Sequence, residues 1–348
     1  MKIAHIFYSL TYGGIETLLV NISNWQVLNN YKVSIILIND LFDESLMGSL
    51  DSRINIIQLN RRPKSKSPTA ILKLNYYLLK HNYDILHMHS AGIGNFIQPI
   101  LSSKRILHVH STTQITNSKL PKYDKCLAIS EAVKHTLESK YGAKNISVIY
   151  NGINFNDFVK RDSNIITNKI ICIGRLDTEI KNQNGIITEF SRIKNQINAN
   201  LYFVGDGPDM NMLINLIEKL KLKNRVFLLG KRGQTWIQQN LCNYDLFIQA
   251  SHSEGLGLTA IEAAAACVPL LLSKVDGHLE ISENGRLCEL FEPNKEGDLG
   301  EKVIDFYKNT AQYFNLAIAS YKSHNRKFDF ELYNKNIIKF YYSILVKC

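Results

Sequence analysis

The chain has 348 residues, 45% of them apolar and 21% charged, and a formal net charge of +10. These values exclude a disordered or collagen-like chain, and the length predicts two domains rather than one core. Six cysteines form no CxxC pair, which excludes a disulfide scaffold and predicts free thiols in a reducing cytosol.

In chain order, the first half alternates short apolar runs with longer amphipathic ones. Strands are predicted at Lys2–Tyr8, Val33–Ile38, Ile54–Leu59, Ile85–His89, Arg105–His110, Lys125–Ala128 and Ile146–Tyr150. Helices fall between them, among others at Glu16–Val27, Ala70–Lys80 and Glu131–Tyr141. The opening apolar run is too short for a signal peptide. The polar stretch Lys160–Lys169 reads as a linker. A second series follows, with strands at Ile170–Ile173, Leu201–Gly205, Val226–Gly230, Leu246–Gln249, Leu270–Leu272 and Arg286–Glu289. Phe330–Val346 reads as one amphipathic helix. Strands rich in Ile, Val and Leu that alternate with helices predict parallel sheets covered on both faces. The longest apolar run, Leu256–Leu272, contains Glu262 and Pro269 and is too short to span a bilayer.

Charge is uneven along the chain. Residues 1–160 hold 18 Lys+Arg against 10 Asp+Glu, a net of +8, whereas residues 161–348 hold 23 against 21. Arg61-Arg62-Pro63-Lys64-Ser65-Lys66 is a small basic cluster. A basic face attracts nucleic acid, anionic lipid or an anionic acceptor, or is simply solvated. No nucleic-acid motif is present and aromatics do not interleave with the cations, so no nucleic acid is expected.

Two segments carry chemistry. In Glu254-Gly255-Leu256-Gly257-Leu258-Thr259-Ala260-Ile261-Glu262, two carboxylates stand eight apart. Glu254 lies in a glycine-flanked loop and Glu262 inside the helix Thr259–Cys267. Gly255 and Gly257 leave room for a ligand beside the backbone, and the helix start offers free N–H groups to a phosphate. Glu262 is placed to accept bonds from a diol. In the second segment the strand Ile170–Ile173 ends at Gly174, and Arg175 and Lys181 follow ahead of a helix at Gln183–Gln196. This pattern reads as a diphosphate clamp, in which Arg175 can bind bidentately and Lys181, on an exposed loop, supplies a point charge; taken singly, two such cations are simply solvated.

The two HxH pairs, His87/His89 and His108/His110, each share a strand face. Neither has an acidic residue directly beside it, so no metal site is expected. Gly205-Asp206-Gly207-Pro208 lacks the third glycine of a dinucleotide loop, which argues against NAD.

Together these segments resemble the retaining, nucleotide-sugar-dependent glycosyltransferases of glycosyltransferase family 4. The resemblance covers nearly the whole chain. It is carried by Gly13-Gly14-Ile15-Glu16, His110, Ile149-Tyr150-Asn151-Gly152-Ile153, Gly174-Arg175-Leu176 through Lys181, Gly205-Asp206-Gly207-Pro208, and Glu254 through Glu262. Three positions depart from the family pattern. Tyr150 and Thr259 stand where proline is common, and Asp276-Gly277-His278-Leu279-Glu280 only loosely matches the family's glycine pair before an acidic residue.

The resemblance implies a GT-B fold of two Rossmann-like domains facing each other across a cleft. The acceptor domain would span 1–160 and the donor domain 161–329, with a helix at 330–348 crossing back to the first. It implies a hexosyl transfer, metal-independent and with retention, from a UDP- or GDP-sugar co-substrate to a glycan or lipid-linked acceptor. The setting would be bacterial surface-polysaccharide assembly, in the cytoplasm or peripherally at the inner face of the plasma membrane. Catalytic roles fall to Arg175, Lys181, Glu254 and His110. Donor binding falls to Gly13, Gly14, Gly255, Leu256, Gly257, Leu258, Glu262 and, near the base, Lys231. Glu254 would hold sugar hydroxyls, Glu262 the ribose, and His110 a sugar hydroxyl near the reacting carbon. No other cofactor is implied. Two alternatives stay open: a GT-B sugar-nucleotide epimerase, and a non-catalytic nucleotide-sugar-binding scaffold.

Overall fold

The structure, a computed structural model, describes residues 1–11, 13–99, 101–111, 122–162 and 165–346. Cys348 and residues 163–164 of the predicted linker lie outside them.

Seven strands make the first sheet: β1 (Lys2–Phe7), β2 (Lys32–Asn39), β3 (Asn55–Arg61), β4 (Ile85–Met88), β5 (Lys104–Val109), β6 (Lys125–Ala128) and β7 (Ile146–Val148). Their spatial order is β3-β2-β1-β4-β5-β6-β7, and every pairing is parallel. Six strands make the second: β8 (Lys169–Ile173), β9 (Asn200–Val204), β10 (Val226–Leu228), β11 (Leu246–Gln249), β12 (Leu270–Ser273) and β13 (Glu289–Phe291). Their order is β10-β9-β8-β11-β12-β13, again all parallel. In both sheets the order reverses beside the first strand, and polar residues gather beyond the carboxyl ends there.

The chain divides into two compact units, Met1–Asn151 with Glu331–Cys348, and Gly152–Phe330. Each sheet is covered by helices because its strands are apolar on both faces. In the second unit, Ile186, Ile187, Phe190 and Ile193 of helix Gln183–Ile193 pack with Leu201 and Phe203 of β9. Each such side chain contributes about 1.5–3 kcal/mol on burial. In the first, Ile36, Leu74, Leu78, Leu86 and Met88 belong to one core cluster.

Two expectations need correction. Residues 160–169 are not a linker. Arg161 is only 8% exposed and pairs with fully buried Asp245. Asp245 also accepts from the backbone N–H groups of Thr167 (2.9 Å) and Lys169 (3.0 Å). A polar stretch can thus be anchored by one buried acid, and the division between units falls at Asn151/Gly152 instead. β13 begins at Glu289 rather than Arg286, because Glu283, Asn284 and Gly285 all take positive φ and spend those residues in a turn.

The C-terminal helix Phe330–Leu345 buries Tyr333, Ile337, Tyr341 and Ile344 and belongs, from Glu331 on, to the first unit. Trp25 donates to Glu331 (2.7 Å) within that unit. Cys126, Cys172, Cys242, Cys267 and Cys288 are free thiols. Among the described residues no helix is long and apolar enough to cross a membrane.

Candidate active site

Three loops of the second unit lock together beyond the carboxyl ends of β8, β9 and β11. The loop after β8 runs into a short helix, Thr178–Lys181. Asp209 fixes that helix by accepting from the Thr178 N–H (2.7 Å) and hydroxyl (2.8 Å). The glycine turn after β9 lies against the same loop. The Leu176 N–H donates to the Asp206 carbonyl (3.0 Å), and Gly205, at φ +145, approaches so closely that a Cβ would strike the Gly174 carbonyl. Only glycine fits there. The loop after β11 is tied in by His252, whose N–H donates to the Ile180 carbonyl (2.8 Å).

This bracing sets Lys181 beside Glu254. The ammonium stands 2.5 Å from the carboxylate, with side-chain exposures of 22% and 13%. Glu254 also accepts from Gln249 (2.9 Å) and Ser251 (3.2 Å). Burial alone would raise the Glu254 pKa. The Lys181 charge and the hydrogen bonds outweigh it, so the carboxyl titrates below its ordinary value. Lys181 therefore ends a helix and is ion-paired, unlike the exposed loop cation expected from sequence. Arg175, in the same loop, is exposed and forms no ion pair among the described residues. Its carbonyl accepts from Gln183 (2.7 Å), which holds the loop while leaving the guanidinium free.

Glu262 lies in the helix Leu258–Ala265 and is buried, at 8% exposure. Its partner is Gln234, which donates at 2.8 Å from the start of helix Gln234–Asn240. Burial with one neutral donor raises its pKa to about 7. The two carboxylates of one motif are thus pushed in opposite directions, and Lys181 makes the difference.

Gly255, Leu256 and Gly257 are buried, and Leu258 is half-buried. The space beside the two glycines is filled by the helix Asp276–Ile281. A Cβ on Gly277 would stand 2.5 Å from the Glu254 carbonyl oxygen, and one on Gly257 3.3 Å from the His278 ring. The glycines accommodate that helix rather than leaving open room for a ligand. His278 is fully buried; its Nδ1 lies 2.9 Å from the Ser273 carbonyl, and its Nε2 has no partner among the described residues. Burial lowers its pKa to about 4. Lys231 is exposed, and Arg232 stacks over Trp236 at 5.5 Å.

Gly13, Gly14 and His110 belong to the first unit. Gly13 precedes helix Gly14–Leu28, and the Glu16 carboxylate lies so close to it that a Cβ there would stand 2.4 Å from Oε2. His110 follows β5 and is half-buried, its Nε2 3.1 Å from Nδ1 of His89. Burial lowers its pKa to about 3.

Sequence reasoning missed Asp209, Gln234, Gln249 and Ser251 as parts of this site. Gln249 offered a signal, since a polar residue closes the apolar strand Leu246–Gln249. Asp209 follows directly on Gly-Asp-Gly-Pro, where a helix start was readable. Gln234 and the tight seat of Gly277 had none, because their partners are remote in sequence.

Comparison with known proteins agrees with this architecture. Two family models match in series: Glycosyltransferase Family 4 over residues 12–157, and Glycosyl transferases group 1 over residues 155–323. The chain belongs to the GT4-type glycosyltransferases. N-acetyl-alpha-D-glucosaminyl L-malate synthase of Bacillus anthracis is 25% identical over 292 residues, 76% of each chain. The O-antigen biosynthesis glycosyltransferase WbnH of Escherichia coli is 33% identical over 145 residues, 40% of this chain and 39% of that one. HepE of Anabaena, solved with UDP and glucose, superposes with a TM-score of 0.82 at 21% identity over 99% of this chain and all of that one. Sucrose-phosphate synthase of Thermosynechococcus elongatus gives 0.86 at 16% identity over both whole chains. The fold is GT-B, with two parallel α/β sheets.

Proposed function

We propose that this glycosyltransferase moves a hexosyl unit, with retention at the anomeric carbon, from a UDP- or GDP-sugar to a hydroxyl of a glycan or lipid-linked acceptor. The observation that carries the reading is the Lys181–Glu254 pair, with the exposed Arg175 six residues earlier on the segment that leads to Lys181. As the bond from the anomeric carbon to the diphosphate breaks, its electron pair passes to the diphosphate. Retention puts the incoming oxygen on the face the diphosphate leaves, and the departing oxyanion takes the acceptor's proton. Arg175 and Lys181 neutralise the charge that develops, with no metal required. Once Lys181 turns to the diphosphate, Glu254 keeps Gln249 and Ser251 and is freed to accept from a sugar hydroxyl. Glu262 accepts from the ribose diol, a role that favours its ionised form. His110 keeps the sugar contact that the family resemblance implies.

The donor class is supported by the UDP and glucose bound to HepE. Acceptor and setting are supported by the O-antigen transferase of Escherichia coli together with the basic first 160 residues. That pairing favours surface-polysaccharide assembly at the inner face of the plasma membrane.

The test is release of free nucleoside diphosphate. A transferase releases it only when a glycan acceptor is added; an epimerase converts the donor alone; a scaffold does neither. Turnover should survive EDTA. Loss on chelation, restored by Mn²⁺ or Mg²⁺, would refute the metal-free clamp. A thermal-shift screen of nucleotide sugars should name the donor, since a ligand that binds only the folded chain raises Tm.

A further inference from the structure

Five histidines meet inside the first unit. His5 lies on β1, opposite His87 on β4. His89 follows β4, His108 lies on β5 and His110 follows it. Four are buried and His110 is half-buried. Their hydrogen bonds form two runs. In one, Gln26 Oε1 meets His5 Nε2 (2.9 Å), His5 Nδ1 meets His89 Nε2 (3.3 Å), and His89 Nδ1 meets His110 Nε2 (3.1 Å). In the other, the Tyr341 hydroxyl meets His87 Nδ1, and His87 Nε2 meets His108 Nδ1 (3.1 Å). Two ring nitrogens are left over: His108 Nε2 and His110 Nδ1 are buried without a partner among the described residues. A buried polar atom left unpaired costs about 1–3 kcal/mol, so two in adjacent rings call for an explanation.

We propose that His89, His108 and His110 form a binding site for one divalent ion of the zinc class (zinc, cobalt, nickel or copper), with a fourth position open to water. The three side chains each offer a ring nitrogen within 4.8 Å of the others. The 3.1 Å between His89 Nδ1 and His110 Nε2 is close to the edge of about 3.3 Å that a tetrahedron with metal–nitrogen bonds of about 2.0–2.1 Å requires. His108 supplies Nε2, the nitrogen now without a partner.

Around His89 and His108 the groups have the arrangement a ligating imidazole needs, in which the far N–H is donated to a fixed acceptor; the far nitrogen of His110, Nδ1, has no partner among the described residues. Gln26 Oε1 can only accept, so His5 is protonated at Nε2 and its Nδ1 is a lone pair. His89 must then donate from Nε2, which leaves its Nδ1 lone pair for the metal. In the second run the Tyr341 hydroxyl can donate or accept; the ligating arrangement is the one in which it accepts from His87 Nδ1, His87 Nε2 accepts from His108 Nδ1, and the His108 Nε2 lone pair is left for the metal. His5 and His87 are thus the outer shell. The second triad, His5, His87 and His89, is fully buried, and both ring nitrogens of His5 are taken. The half-buried His110 gives the proposed site its access.

The site lies within the first unit and shares only His110 with the transfer reading: the metal takes Nε2 and leaves Nδ1 for the sugar hydroxyl, and the readout is metal uptake, so either reading can fail alone. The full-length chain, stripped with a chelator, is titrated with Co²⁺. One equivalent should bind with the visible absorption of tetrahedral cobalt, and Zn²⁺ should displace it. His108→Gln and His110→Gln should each weaken binding 100-fold or more. Tyr341→Phe, which touches only the outer shell, should weaken it about 10-fold. His135→Gln and His252→Gln, at exposed positions, should change nothing. If His108→Gln fails to fold by circular dichroism, the half-buried His110→Gln and Tyr341→Phe decide. No stoichiometric uptake by the wild type overturns the proposal, as does uptake unaffected by His110→Gln or lost with His135→Gln.

Discussion

The two units gather polar groups towards the carboxyl-terminal side of a parallel sheet, on and just after the strands in the first and beyond them in the second, but one set is neutral and the other charged. In the first unit the buried groups are five imidazoles, kept neutral by burial and by one another. The excess charge of residues 1–160, a net of +8, lies elsewhere. In the second unit a lysine and two carboxylates stand inside the site, while residues 161–348 are near balance. A neutral cluster needs only hydrogen-bond partners, and it offers lone pairs to a cation. A charged cluster needs an opposite charge, and that charge can later be lent to an anion. The contrast recurs within one motif: Glu254, with Lys181 beside it, is held low, whereas Glu262, with only Gln234, is pushed up.

Removing the lysine is the sharpest way to break this contrast. Lys181→Ala should lower kcat/KM about 100-fold or more, about 2.7 kcal/mol of transition-state stabilisation. It should also cost about 1 kcal/mol of stability, because a partly buried carboxylate loses its partner. The Glu254 carboxyl should then titrate higher, since burial is left to dominate. A near-wild-type rate would move the diphosphate elsewhere.

The pH dependence of stability tests the same contrast. Glu262 has a folded pKa of about 7, above its ordinary value of 4.5. Its contribution is therefore fully present below about pH 4.5 and is lost as pH rises through about 7. Relative to Glu262→Gln, the wild type should lose on the order of 3 kcal/mol across that window. Glu254, held low, works the other way: its contribution is present above the ordinary pKa and is lost as pH falls through the depressed one. Urea midpoints measured from pH 4 to 8 should separate from wild type towards the upper end for both Gln variants, but with opposite sign: Glu262→Gln above wild type and Glu254→Gln below it. A Glu262→Gln difference that is flat with pH would mean the carboxyl is not desolvated.

Much of the comparison was legible in the sequence. Parallel strands buried on both faces are near-continuous apolar runs, so all thirteen stood out, β13 alone being displaced by a turn with three positive-φ residues. The candidate side chains stood out because Arg175 and Lys181 lie on one short segment, as Glu254 and Glu262 lie in one motif. Groups brought in by the fold were not: Asp209 beneath Thr178, Gln234 on Glu262, Gly277 against Glu254. His5 is the extreme case. One histidine in an apolar strand reads as core, and only the pairing of β1 with β4 sets it opposite His87. The two HxH pairs lacked an acidic ligand in sequence, yet each serves the other across the sheet.

A smaller effect separates the two glutamates by ligand. Glu262→Ala should weaken free nucleoside diphosphate about 10-fold by calorimetry, or about 1.4 kcal/mol, the scale of a hydrogen bond to a charged group. Glu254→Ala should leave that affinity nearly intact while cutting transfer, because its partner would be the sugar. The reverse pattern would mean the roles are exchanged.

The smallest effect per residue concerns the outside of the first unit. Arg61, Arg62 and Lys64 line a cavity of about 430 Å³ after β3, with Ser65, Ser67 and Thr69 at the start of helix Thr69–His81. Arg61 donates to the Ser65 carbonyl, which fixes the loop. If this rim meets an anionic membrane or acceptor, each cation contributes about 1 kcal/mol at most, and salt screens it beyond a Debye length of about 10 Å at 0.1 M. Co-sedimentation with anionic vesicles should fall as salt rises, and fall further when Arg61, Arg62, Lys64 and Lys66 are all neutralised. Activity on a soluble, uncharged acceptor should hardly change, because the clamp lies in the second unit. Wild type that fails to bind such vesicles even at low salt, with an acceptor that proves neutral, would reduce the rim to solvated charge and leave the contrast between the units to their buried groups alone.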